Sequence, residues 1–188
     1  GDQSTPYTLD LAGPAPLRAA DGLMYGSAAC SDLFKRTVMQ PASIHVMAQM
    51  HASTMRRAME TQADLSAALA SVPRLNTSFT AGNRLAAQLQ MVARMAAVSG
   101  KLGLTRQVFF VTLGGFDLHD NLGSQHPILL GQVADALKSF ADATNELGMA
   151  DRVTTFTASD FGRTLSSNGD GSDHGWGSHH FVLGGAVQ

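Results

Sequence analysis

A largely apolar run at 106–113, RQVFFVTL, with Val108, Phe109, Phe110, Val111 and Leu113 as its body and Gly114-Gly115 directly behind it, constrains the fold of this chain more than any other stretch. Its β-branched and aromatic content suits a strand buried on both faces and closed by a tight turn. His126-Pro127 then predicts a helix start, with Leu129, Leu130, Val133, Leu137 and Phe140 as its apolar stripe and an end near Gly148. VTTFTAS at 153–159 reads as a second strand and HFVLGG at 180–185 as a third. A strand–helix–strand crossover of this length predicts a parallel, right-handed unit. The expected fold class is therefore α/β, a partial parallel sheet flanked by helices. Three strands are few for a covered parallel sheet, and the third runs almost into the chain end, so the expectation is a piece of a larger domain.

Upstream the pattern changes. Residues 1–36, rich in Gly, Pro, Ala and Asp, read as an irregular entry segment, and 37–103 as a helical segment preceding the α/β segment at 104–188. A first helix is predicted from about Val38 to Val72, with Pro41 in its first turn and Pro73 as its stop. Ile44, Met47, Met50, Met55 and Met59 supply an apolar stripe. A second helix is predicted from about Gly82 to Lys101, with Leu85, Leu89, Val92 and Ala96 on one face. The methionines read as flexible core packing. His45 and His51 are six residues apart and do not share a helix face, which argues against a metal site there.

Charge and cysteine usage narrow the partners. A net charge of −2 and a pI near 6.4 give no electrostatic reason to expect nucleic acid or an anionic membrane. The single cysteine, Cys30, forms no intrachain disulfide and no paired-cysteine metal motif. No apolar run is long enough to span a bilayer, and the start GDQSTPYTLDL does not read as a signal peptide.

Chemistry concentrates in three polar knots beside apolar runs: GGFDLHDN at 114–121, SDFGRT at 159–164 and DHGWGSHH at 173–180. Aspartate and neutral histidine together suit Zn, Mn or Fe better than Ca or Mg. In a parallel sheet the first two knots would lie on one edge, beyond the carboxyl ends of their strands. Asp117 and His119, two apart, would point the same way from extended backbone, and the glycine-rich 165–178 loop would fold the third knot over them. The structural alternatives are a turn or helix cap for Asp117 or Asp120, an Asp160–Arg163 ion pair, and Trp176 packed on the glycine loop.

GGFDLH, with TTFTASDFGRTLSSNGDGSDHGWGSHHFVLGGAV downstream, resembles the domain-of-unknown-function 1501 family, and through it the alkaline phosphatase and sulfatase superfamily. That resemblance implies an alkaline phosphatase-like core, here truncated, in an exported, periplasmic protein. It implies a divalent-metal centre in which Asp117 and His119 match one ligand pair, Asp160 a further aspartate, and His174 or His179 a late histidine. Asp173 joins these as part of an Asp-His pair at 173–174. Phe161 stands where the superfamily has a ligating histidine, and nothing in 1–36 matches its nucleophile-bearing strand. Arg163 would bind the anionic group of a small ester by paired hydrogen bonds. The function implied is metal-dependent hydrolysis of phosphate or sulfate esters. The alternative is a non-catalytic exported binding or surface-assembly protein that keeps the fold.

Overall fold

A computed structural model describes residues 7–15, 24–39 and 44–187. Pro41 and parts of the entry segment lie outside the described residues. The chain divides into two units, residues 1–72 with 98–105, and residues 73–97 with 106–188.

In the first unit, β1 (Leu9–Asp10) pairs antiparallel with β2 (Gly13–Pro14), and α1 (Ala28–Met39) packs on α2 (Val46–Ala70). A helix thus occupies the end of what the sequence presents as irregular. Nδ1 of His45 accepts the Met47 amide hydrogen at 3.3 Å and so caps α2, which gives this histidine a structural task. Ala52, Met59, Leu65, Ala68 and Leu69 form the buried face of α2, whereas Ile44, Met47 and Met50 are exposed. Only the later part of the expected methionine stripe is core.

The second unit is organised by α3 (Arg84–Ala97) against α4 (Leu122–Glu146). Leu85, Leu89 and Phe140 are buried at their contact, as their helical spacing predicts. So are Ala86, Ala93, Ala136 and Ala143, each with no exposed surface. The members of each alanine pair are seven residues, two turns, apart. These small side chains let the helix backbones approach closely while the leucines and Phe140 fill the flanks. Asn83 sets the start of α3: its Oδ1 accepts from the Leu85 and Ala86 amides, and its Nδ2 donates to the Gln132 carbonyl of α4 at 2.8 Å.

The expected parallel sheet, and with it an alkaline phosphatase-like core, is not present among the described residues. Among the described residues every sheet is a two-stranded antiparallel pair: β1 with β2, β3 (Thr155–Phe156) with β6 (Val182–Leu183), and β4 (Gly162–Arg163) with β5 (His174–Gly175). The 106–113 run joins none of them. Val111 and Leu113 pack against the helical core, but Val108 and Phe110 are 93% and 89% exposed. The Gln88 side chain of α3 takes the place of a neighbouring strand. Its Nε2 donates to the Thr112 carbonyl at 2.8 Å, and its Oε1 accepts the Thr112 amide at 3.1 Å. The segment is apolar enough for a strand, yet its backbone is satisfied at Thr112 by a side chain and its apolar surface is buried on one side only.

Helix α4 begins at Leu122, before the expected start at His126-Pro127, and Pro127 lies within it. Asp170 explains the early start. Its carbonyl accepts the Leu122 amide at 3.0 Å and its Oδ2 accepts the Asn121 amide at 3.2 Å, anchoring the first turn from the glycine-rich loop.

At the other end, Glu146 closes α4 where the helix dipole disfavours an anion. Loop donors offset this: its carboxylate accepts from the amide (2.8 Å) and Nδ2 (3.1 Å) of Asn76, and from the amide (2.8 Å) and Oγ1 (2.6 Å) of Thr77. The Thr77 hydroxyl first, then the two backbone amides, hold this carboxyl below its ordinary value. Such a group stabilises the fold above its unfolded value, and that stabilisation is lost as pH falls through the lower folded value. Glu146→Gln is therefore expected to lower Tm at neutral pH and to flatten the fall of Tm below about pH 5. Thermal scans from pH 7 to pH 3 check this; parallel curves for both proteins would contradict it.

Candidate metal centre

Two loops distant in sequence build the site within the second unit. The first leaves the 106–113 run through Gly114-Gly115 and closes a three-residue turn at Asp117, where the Leu118 amide donates to the Phe116 carbonyl at 2.9 Å. This turn replaces the extended backbone expected there, and it still directs Asp117 and His119 at each other. The second is the β4–β5 pair, which the sequence presents as structureless. In its register Gly162 faces Gly175, and a Cβ at Gly162 would lie 2.6 Å from the carbonyl oxygens of both Gly175 and Gly177. That approach sets His174 beside the first loop.

Asp117 is the centre. Its Oδ1 lies 2.7 Å from Nε2 of His174 and 3.0 Å from Nε2 of His119. The two imidazole rings stand 5.0 Å apart, tilted by 31°. One donor atom from each of Asp117, His119 and His174 falls within a 4.8 Å cluster, and all three residues are exposed. Ligands bonded at about 2.0–2.1 Å in tetrahedral array stand roughly 3.3 Å apart, so a small opening of these contacts admits an ion. A set of two imidazoles and one carboxylate fits Zn, Mn or Fe. The His174 hydrogen bond is the largest influence on Asp117; desolvation opposes it, and the charges of His174, His119 and Arg163 add to it, so the carboxyl is held below its ordinary value. It therefore stays anionic at pH values where a free aspartate would protonate.

Asp173 sits behind His119, with Oδ1 3.3 Å from the ring Nδ1. Asn168 Nδ2 donates to the same oxygen at 2.8 Å and to the His119 carbonyl at 3.2 Å. Asn168 first, then His119, lowers the Asp173 carboxyl from its ordinary value. Gly171 packs against the His119 carbonyl so closely that a Cβ would collide with it. Phe161 stacks on His174 with ring centroids 4.0 Å apart and planes 10° apart. It fixes the ring it faces.

Arg163 spans the two loops. Nη2 donates to the Phe116 carbonyl at 2.6 Å and Nη1 to the Ser172 carbonyl. These are the carbonyls immediately before Asp117 and Asp173, so one guanidinium bridges the segment carrying Asp117 and His119 and the segment carrying Asp173 and His174. Arg163 makes no ion pair with Asp160. An open cleft of about 390 Å³ lies between the 163–172 loop and the start of α4, with Arg163 in its wall; Asp117, His119 and His174 lie outside that wall.

Of the six expected ligands, the structure brings together Asp117, His119 and His174, with Asp173 next to them; Asp160 and His179 lie outside the group. His180 contacts Thr157 Oγ1 at 3.4 Å and Ser178 Oγ at 3.1 Å. Trp176 is 88% exposed, so it does not pack the glycine loop. Sequence reading passes over Asn168 and Gly171, although the Asn-Gly-Asp-Gly string at 168–171 marks a tight turn that would bring its side chains back on the chain.

One family matches residues 22–188, described as "Protein of unknown function (DUF1501)". No curated protein and no solved structure matches the chain.

Proposed function

The chain belongs to this DUF1501 family, and from the convergence of Asp117, His119 and His174 we propose that it holds a divalent ion, Zn, Mn or Fe, in a hydrolase of small phosphate or sulfate esters. The observation that carries the metal is the meeting of three donors from two loops, separated by more than fifty residues, within 4.8 Å. Asp117 provides the anionic ligand and the two imidazoles neutral ones. When bound, such an ion polarises an ester oxygen and lowers the pKa of water. The substrate class rests on the resemblance of the family to the alkaline phosphatase and sulfatase superfamily, carried here by Asp117, His119 and a later histidine, without the parallel sheet and with Phe161 in place of a ligating histidine. An exported, periplasmic location belongs to the same reading and rests on the same resemblance.

Two observations favour a second reading, a non-catalytic exported protein. Both terminal nitrogens of Arg163 are committed to backbone carbonyls. Among the described residues, no hydroxyl hydrogen-bonds to an imidazole of the three-residue group. In either reading Arg163 bridges the two loops.

Calorimetric titration of the chelator-treated chain with Zn²⁺ and Mn²⁺, followed by assays on 4-nitrophenyl phosphate and 4-nitrophenyl sulfate, tests the proposal. One ion per chain and ion-dependent hydrolysis are expected. Binding without hydrolysis selects the second reading, and the absence of stoichiometric binding overturns the metal centre itself.

A further inference from the structure

His119 and His174 both present Nε2 to Asp117, but their rings are held by different means. Phe161 fixes His174 by stacking, which leaves the location of its ring proton open. His119 instead has a carboxylate at its far nitrogen, Nδ1, 3.3 Å from Asp173 Oδ1. A neutral imidazole carries its single proton on one nitrogen, and ligation through Nε2 requires that proton on Nδ1. Asp173 is an acceptor in the right place for it. Asn168 in turn holds Asp173 Oδ1 at 2.8 Å and the His119 carbonyl at 3.2 Å, so the acceptor and the backbone of the residue it serves share one amide. Asp173 does not converge with the three-donor group.

We propose that Asp173 is a positioning residue and not a ligand: it accepts Nδ1–H of His119 and thereby keeps Nε2 aimed, lone pair outward, at the site shared with Asp117 and His174. This inference rests on the metal reading of that site. It makes His119 the ring whose tautomer is dictated and His174 the ring whose plane is dictated.

The near-isosteric Asp173→Asn variant is the discriminating one. Its amide can turn an N–H toward Nδ1 and favour the opposite tautomer while leaving shape unchanged. Full-length wild type, Asp173→Asn and Asn168→Ala are titrated with Zn²⁺ and with Co²⁺, and long-range proton–nitrogen NMR locates the His119 proton in the Zn²⁺-loaded proteins. Zn²⁺ affinity should fall about 10–100-fold in Asp173→Asn and less in Asn168→Ala. The Co²⁺ absorption spectrum should keep its band positions and intensity, because the ligands are the same. NMR should place the proton on Nδ1 in wild type and show a loss of that preference in Asp173→Asn. An unchanged affinity in Asp173→Asn overturns the inference while leaving the metal site standing, as does a Co²⁺ spectrum showing a lost ligand. A wild type that binds neither ion overturns both.

Discussion

Asp117→Ala should abolish stoichiometric Zn²⁺ and Mn²⁺ binding, with a loss larger than the about 10–100-fold expected for an outer partner. The reason is geometric. Both imidazole nitrogens meet at one oxygen of this side chain, at 2.7 and 3.0 Å, so its removal takes away the anionic ligand and the point on which the other two converge. The helices should not notice, since the residue is exposed and contributes nothing to the α3–α4 core. Calorimetric titration with far-UV circular dichroism checks both halves of the statement. Retained stoichiometric binding would place the ion elsewhere, with Asp160 or His179 as the next ligands to replace.

Arg163→Met is expected to have the second large effect, and it reaches both stability and metal. Two hydrogen bonds from a charged donor are lost, each worth about 1.5–3 kcal/mol and nearer the lower figure at this half-buried position. The Phe116 and Ser172 carbonyls, no longer bridged, release the Asp117 loop from the Asp173–His174 strand. Metal affinity should fall at least about tenfold although neither carbonyl is a ligand. Arg163→Lys should fare little better, because a single ammonium lacks the fork that reaches two acceptors. A denaturant melt and a Zn²⁺ titration measure the two effects. If Arg163 instead contacted an anionic ester, both variants would bind Zn²⁺ as wild type does and lose only competition by inorganic phosphate.

The helical half of this organisation was legible in residue spacing. Leu85, Leu89 and Phe140 recur at helical intervals, and they are core. What spacing hid was the alanine contact at Ala86, Ala93, Ala136 and Ala143, since alanine is too common in helices to mark a packing face. The sheet was misread for a definite reason. An apolar run rich in valine and phenylalanine reports burial and strand propensity, but a strand also needs a neighbour, and at Thr112 that neighbour is the Gln88 side chain. Pairing of Thr155–Phe156 with Val182–Leu183 in antiparallel register is likewise a tertiary outcome that neither segment carries alone.

The candidate centre was legible in composition more than in geometry. Aspartate and histidine packed into three knots drew attention to these loops, and three of the residues meet. The supports stayed hidden because they act through groups with no sequence signature: the Phe116 and Ser172 carbonyls, the Asn168 amide and the missing Cβ of Gly171. Phe161 looked like a departure from a ligand pattern. It proves to be a platform for His174.

The Gln88 amide has a consequence for how this chain comes apart. The 106–113 run is moored to α3 by one side chain and by Val111 and Leu113, and it leads directly into the turn that carries Asp117 and His119. A segment moored so lightly belongs to the low rungs of local opening, well below the rupture of two helices joined along an alanine seam. Its excursions would pull on the turn that carries two of the three donors, which Arg163 and Asn168 hold from the other side, so the lifetime of a bound ion would depend in part on a glutamine on a neighbouring helix that never touches it.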